Sequence, residues 1–227
     1  SGFLRPLIGA LPAERAQLTF YAADLARGPD GRVWVMADRC QAPSGAGYAV
    51  ENRSVMARTF PELLEDGAVA RLNPWLEAVQ ATLNQLAAGT REQPQVVVLT
   101  PGPANETYFE HAYLAARLGY TLAQGDDLTV RDGHVWLKAV EGLRPVDVIL
   151  RRLDEPWCDP LELRADSRLG TPGLVEAVRR GHVALANPLG AGVLENPALM
   201  PFLPALSKAL LDEELRLPMA ATWWCGQ

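Results

Sequence analysis

The run Gln95-Val96-Val97-Val98-Leu99-Thr100-Pro101-Gly102-Pro103, followed by residues 105–118, Gly119 and Tyr120-Thr121-Leu122-Ala123, decides the fold. Four successive aliphatic residues closed by a Pro/Gly turn describe a short strand buried on both faces, the kind found in parallel sheets. Residues 105–118 carry a helical pattern. Gly119 stops it, because glycine takes a left-handed backbone at a helix end without penalty. Residues 120–123 supply the next strand. Strand, helix and strand in that order make a βαβ unit.

Working outward, residues 128–131 and 134–139 read as a hairpin on Asp132-Gly133, a strong turn signal. Residues 145–150 are another apolar strand, 151–159 a charged loop, 172–180 a helix and 182–186 a strand. Gly190-Ala191-Gly192 is a flexible loop, and 198–214 reads as a long helix with Pro201 and Pro204 near its start. Towards the N-terminus, 18–25 and 32–38 pair around Gly28-Pro29-Asp30-Gly31, and a small-residue loop covers 42–47. Residues 51–60 look helical, and Pro61 breaks or restarts that helix. Asn73 as N-cap and Pro74 at the first helical position open a further helix. Trp75, Val79, Leu83 and Leu86 share one face of it, and Gly89 ends it. The expected fold is α/β, a mostly parallel sheet with flanking helices and β-hairpins. The composition shift at 89–94 divides the chain into 1–90 and 91–227.

The chain has 227 residues, enough to bury a core without disulfides or metals. Its 48% hydrophobic and 21% charged residues exclude disorder as the main state. A net charge of −6 argues against a general nucleic-acid binder. No apolar run reaches the roughly 18 residues of a membrane span, and no signal peptide opens the chain. Cys40, Cys158 and Cys225 form no CxxC pair, so they read as reduced thiols of a cytoplasmic protein. Lys138 and Lys208 are the only lysines, which leaves few candidates for a phosphate-binding lysine. The start at Ser1 without Met, and Trp223-Trp224 near the other end, suggest a segment of a longer protein. Those tryptophans read as core whose partner segment is missing, or as a surface that stacks on a ligand.

Arg151-Arg152-Leu153-Asp154 directly follows a buried strand, and open α/β sheets bind ligands at the carboxyl ends of their strands. Two guanidinium groups there suit phosphate or carboxylate oxygens, although a surface ion-pair cluster explains the same residues. Thr100 to Pro103 is an anion-binding turn or simply a tight connection. The loop 43–48 matches neither a P-loop nor a dinucleotide fingerprint. His111, beside Glu110 on a helix, reads as structural on its own. His134 and His182 have no partner nearby in sequence. Asp126-Asp127 and Glu213-Glu214 read as solvated charge.

Several strings fall together in order. They are Val35-Met36-Ala37-Asp38, Pro43-Ser44-Gly45, Glu51-Asn52-Arg53, Leu99 to Pro103, and Tyr108-Phe109-Glu110-His111. Arg151 to Asp154, Asp159-Pro160, Gly170-Thr171-Pro172-Gly173-Leu174, Ala186-Asn187 and Gly190-Ala191-Gly192-Val193 complete the set. This set resembles the circularly permuted type 2 ATP-grasp proteins, relatives of glutathionylspermidine synthase-like ligases, across nearly the whole chain. The resemblance implies a pre-ATP-grasp-like domain at 91–227 and part of an ATP-grasp lobe at 1–90, from a protein about twice this length.

It also implies ATP-dependent carboxylate–amine ligation of a small-molecule or peptide-like substrate, with ATP and Mg²⁺ as cofactors, and in some bacteria a fused all-helical domain. Arg151, Arg152 and Asp154 take the catalytic positions. Ser44, Gly45, Asn52, Arg53, Thr100, Gly102, Asn105, His111, Asn187, Gly190 and Gly192 take nucleotide- or substrate-binding positions, and Asp38 a metal position. The departures are specific. Where the family commonly reads Leu-Glu-Asp-Asn, this chain reads Met36-Ala37-Asp38-Arg39, and where it reads Asp-Asp-Lys, this chain reads Glu195-Asn196-Pro197. Those changes disturb the charge logic of an Mg·ATP site and open a second reading, a non-catalytic binding or interaction module. The segment alone is expected to be inactive.

Overall fold

A computed structural model describes residues 3–9, 18–67, 69–87 and 93–226. It opens with an antiparallel hairpin, β1 (Ala22–Arg27) and β2 (Val33–Arg39), whose register shifts at Asp24/Leu25. Three helices follow: α1 (Ala46–Thr59), α2 (Pro61–Asp66) and α3 (Asn73–Leu86). The βαβ unit is β3 (Val96–Leu99), α4 (Tyr108–Leu118) and β4 (Thr121–Ala123). An antiparallel sheet comes next, of β5 (Leu128–Arg131), β6 (His134–Ala139) and β7 (Gly142–Pro145). The chain returns through β8 (Val148–Arg151), crosses over by α5 (Leu174–Arg179) to β9 (Ala184–Ala186), and carries α6 (Leu203–Leu211) near its end.

The central sheet has the order β4-β3-β8-β9, and every neighbouring pair is parallel. Its two inner strands, β3 and β8, are buried on both faces, as their continuous aliphatic runs require. Successive side chains point to opposite faces, so alternation sorts the core into two layers. Val96, Val98, Val148 and Leu150 face α3 and α4, packing with Leu83, Leu114 and Val50 of α1. Val97, Leu99, Ile149 and Leu185 face the other way, against Val135 and Leu137 of β6 and Leu174 and Val175 of α5. Residues before and after position 90 therefore meet in one core.

The α/β architecture and parallel sheet are as the sequence leads one to expect, and the differences are local. Helix α1 starts at Ala46 rather than 51, because a side chain from α4 caps it from outside its own segment. Residues 105–107 stay outside α4, since Asn105 Oδ1 accepts from both the backbone N–H and the hydroxyl of Thr107 in a local turn. The expected strand at 145–150 is divided: Pro145 ends β7 and Val148 begins β8. The long helix expected at 198–214 is a 3-10 stretch, Pro197–Phe202, then α6, because Pro201 and Pro204 lack the amides an α-helix would use. Asn73 is the first helical residue of α3 rather than its cap, which falls at Leu72. The expected stop at Gly89 and most of the 89–94 boundary lie outside the described residues. Among the described residues no helix is long and apolar enough to cross a membrane. Trp223 and Trp224 are exposed at 80% and 48%.

Leu83 is fully buried between α3 and the sheet. Changing Leu83 to Ala should cost about 2–5 kcal/mol in denaturant unfolding. A loss below about 1 kcal/mol would mean that α3 does not share the sheet's core.

Candidate functional site

Parallel strands end on one side, so β3, β8 and β9 deliver Thr100, Arg151, Arg152 and Asn187 to a single edge. Alternation then decides what each residue does. Arg151 shares its face with Ile149, and Arg152 shares the opposite face with Leu150. The two adjacent guanidinium groups therefore do not make a joint clamp.

Arg151 is fully buried. Its Nε donates to Asn187 O (3.2 Å), one terminal nitrogen to Leu153 O (2.6 Å) and the other to Gln41 O (2.8 Å). The buried carboxylate of Glu155 lies 3.6 Å away. Every nitrogen of this side chain holds the fold. Arg152 is buried too, but its side chain makes no hydrogen bond among the described residues, and Nε is wholly enclosed without a partner. Its nearest charge is Glu110, at 4.0 Å. Burial lowers its pKa, and Glu110 partly offsets that. It faces a cavity of about 410 Å³ lined by Phe20, Tyr21, Ser44, Trp75, Leu114 and Leu150 among others. Asp154 is exposed, and its carboxylate has no hydrogen bond or ion pair among the described residues.

The loops that resemble anion cradles are occupied from inside. Glu110, fully buried on α4, accepts from Gly45 N–H (2.9 Å) and Gly47 N–H (3.0 Å), filling the N-terminus of α1. α1 and α4 come so close there that a Cβ on Gly47 would meet Glu110 Cγ at 2.7 Å. Glu155 accepts from Gly192 N–H (2.7 Å), and burial raises its pKa. Glu195 accepts from the N–H groups of Cys40 and Gln41 (2.6 Å each). Asp159 accepts from Gly173 and Val175 at the start of α5.

Other expected positions also have structural partners. Asn187 accepts from the amides of Thr19 and Phe20 and donates to Phe20 O and Cys40 O, stapling the N-terminal segment to the sheet. Thr100 and Thr107 hold the two ring nitrogens of His111 at 2.9 and 3.0 Å. Gly102 N–H donates to Thr100 Oγ1, and Gly102 has positive φ, which glycine tolerates. Gly190 also has positive φ and begins the turn that brings Gly192 to Glu155. Arg53 donates to Ala70 O, and Asn52 is exposed.

Asp38 accepts from the Tyr21 hydroxyl (2.7 Å), and Arg39 is spent on Asp24 (2.6 Å) across the hairpin. Among the described residues no three His, Cys, Asp or Glu side chains converge. One carboxylate held by a tyrosine, beside a guanidinium, does not fit Mg²⁺. With the Gly45, Gly47 and Gly192 amides taken and Arg151 closed, these residues also offer no triphosphate cradle.

Sequence reasoning did not find the cavity walls, nor Glu110 as an internal anion. A signal was present: Glu110, Leu114 and Leu118 lie at four-residue spacing on one helix face, as do Trp75 and Val79, and all five line the cavity.

Two predictions separate these roles. Arg151→Met strands three carbonyls and the buried Glu155 carboxylate and should cost about 3–5 kcal/mol, whereas Arg152→Met breaks no hydrogen bond and leaves Glu110 with its backbone N–H partners, so it should cost less, about 1–2 kcal/mol in chemical denaturation. Equal losses would remove the distinction. Burial, and then Arg152 nearby, push His111 down to about 4, so it stays neutral in the folded state. The unfolded imidazole takes a proton below about 6.5, so stability should fall between pH 6.5 and 4, by at most about 3 kcal/mol from this residue. A His111→Gln variant should flatten that part of the pH profile.

The whole chain, residues 1–227, matches the family described as circularly permuted ATP-grasp type 2. An uncharacterised protein of Mycobacterium tuberculosis is 48% identical over 225 residues, which is 99% of this chain but 26% of that protein. One from Synechocystis is 40% identical, with 99% of this chain and 47% of the relative covered. One from Mycobacterium leprae is 38% identical over 223 residues, with 98% and 40% covered. The chain thus spans between about a quarter and a half of the length of these curated relatives. With the motif order, the parallel sheet and this match in agreement, the chain belongs to the circularly permuted ATP-grasp type 2 family.

Proposed function

We propose that the full-length protein is an ATP-dependent carboxylate–amine ligase acting on a small-molecule or peptide-like acid. In this reading the segment supplies the acid-binding side of the site rather than the nucleotide side. The observation that carries it is Arg152, a buried guanidinium without a hydrogen bond, facing a cavity at the carboxyl edge of a parallel sheet. Glu110, 4.0 Å away, meets part of that charge without a hydrogen bond, and buried donors left without an acceptor are costly, which supports an anion in the cavity as their partner. Arg152 would hold that anion through parallel N–H···O bonds. Arg151 positions it by fixing the end of β8. Glu110 holds the mouth of the cavity at Gly45, and Leu150, Leu114 and Phe20 keep water from the bound group. ATP and Mg²⁺ enter this proposal through family membership alone, and no step is assigned to them here.

A second reading is a catalytically silent relative that binds a small acid or a protein partner. The observation favouring it is that Arg39, at a position where the family commonly carries an amide, is locked to Asp24.

The test is ADP release by the full-length protein with pooled amino acids and polyamines. Arg152→Ala should lower kcat/KM about 100-fold, the equivalent of losing a charged hydrogen-bonded contact. ADP release that ignores Arg152 would remove the assigned role, and silence of the wild type across the panel would favour the second reading.

A further inference from the structure

We propose that the cavity beside Arg152 is selective for apolar monocarboxylates. The carboxylate lies on the Arg152 guanidinium, and the hydrocarbon body lies against Trp75, Leu114 and Leu150. This deepens the ligase reading and rests on it for the role of the bound acid, while the selectivity itself follows from the cavity.

Charge sets the class. Arg152 is the one cation among the cavity's lining residues, and Glu110 the one carboxylate. Both Glu110 oxygens are already held by backbone N–H groups. Glu110 stands 4.0 Å from Arg152 and offsets part of its charge, but no hydrogen bond joins the two, so the donors of Arg152 remain open to one carboxylate, while the several charges of a triphosphate would be left unpaired in a buried site. Geometry narrows it further. The planar fork of a guanidinium matches a carboxylate in two parallel hydrogen bonds, and among the described residues the Arg152 side chain makes none, Glu110 standing at 4.0 Å.

Some of the remaining polar groups of the wall are engaged elsewhere. The amides of Thr19 and Phe20 go to Asn187, and the Tyr21 hydroxyl goes to Asp38. The Thr19 and Ser44 hydroxyls and the Trp75 indole N–H are left, with Ser44 and Trp75 at the exposed mouth. Leu114, Leu118 and Leu150 close the inner wall, and Trp75, 39% exposed, stands at the rim. At about 410 Å³ the cavity lies near the small end of ligand pockets, suited to one compact apolar group. A free aryl or alkyl acid and the carboxyl end of a peptide share this chemistry.

The experiment is calorimetric titration of the full-length protein with hydrocinnamate, hydrocinnamide, N-acetylphenylalanine and ATP. The acid should bind at least about 10-fold more tightly than its amide, and Arg152→Gln should bring the two together. Tighter binding of N-acetylphenylalanine than of hydrocinnamate assigns the peptide-like source, and the reverse order the simple acid. Acid and amide binding alike to the wild type, or ATP competing with hydrocinnamate for the cavity, would overturn the proposal. Trp75→Ala leaves the charge in place and should weaken acid and amide equally, by about 3- to 10-fold. No change in that variant would also overturn the proposal, whether or not Arg152→Gln folds. Acid-selective binding without ADP release would leave the selectivity standing and remove the ligase reading. ADP release from a protein that does not distinguish acid from amide would do the reverse.

Discussion

The edge of this sheet depends on the guanidinium of Arg151. A charge with no exposure to water is tolerable only if every donor finds an acceptor, and here the acceptors are carbonyls from three separate stretches. Gln41 follows the β1–β2 hairpin, Leu153 follows β8 and Asn187 follows β9. One side chain thus gathers the hairpin and two strand ends around a point. Glu155 completes the set: its carboxylate takes the Gly192 amide, while its own amide donates to Gln41 Oε1 (2.6 Å). Asn187 then ties the segment before β1 to the same point.

That arrangement explains why so many groups suited to binding are not free to bind. Glycine-rich turns and helix N-termini attract anions, and a protein can meet that demand with its own carboxylates. Glu110, Glu155, Glu195 and Asp159 do so here, each reaching from another part of the chain. The turns that look like phosphate cradles serve as joints between segments. Arg152 is the group left over. It is buried and yet has no hydrogen bond among the described residues, and it is the one charged side chain among the three buried there with an unpartnered polar atom, the others being Tyr120 and Trp136.

Much of the fold is legible in the residues. The run Val96 to Leu99, the Gly119 stop and the Asp132-Gly133 turn each imply one local geometry, and the structure has all three. The motif order carries the family without any structure. The candidate site is legible in position but not in role. Arg151 and Arg152 stand at the end of β8, and their adjacency in sequence reads as a pair. In a strand, adjacency means opposite faces, so one guanidinium entered the carbonyl network and the other a cavity. His111 reads as structural from its helix and is held by two threonines, one of them, Thr100, from the preceding turn.

The sequence by itself determined most of the elements, their order, the parallel sheet and the family, because these follow from local periodicity, turn chemistry and motif spacing. Tertiary structure alone decided which polar groups are consumed and which remain available. Leu153 and Glu155 aside, which are local to Arg151, the partners of Gly45, Gly192, Asn187 and Arg151 named above lie 36 to 168 residues away in the chain. Hydrogen-bond satisfaction depends on contacts that form only when distant segments pack, and no local pattern records them.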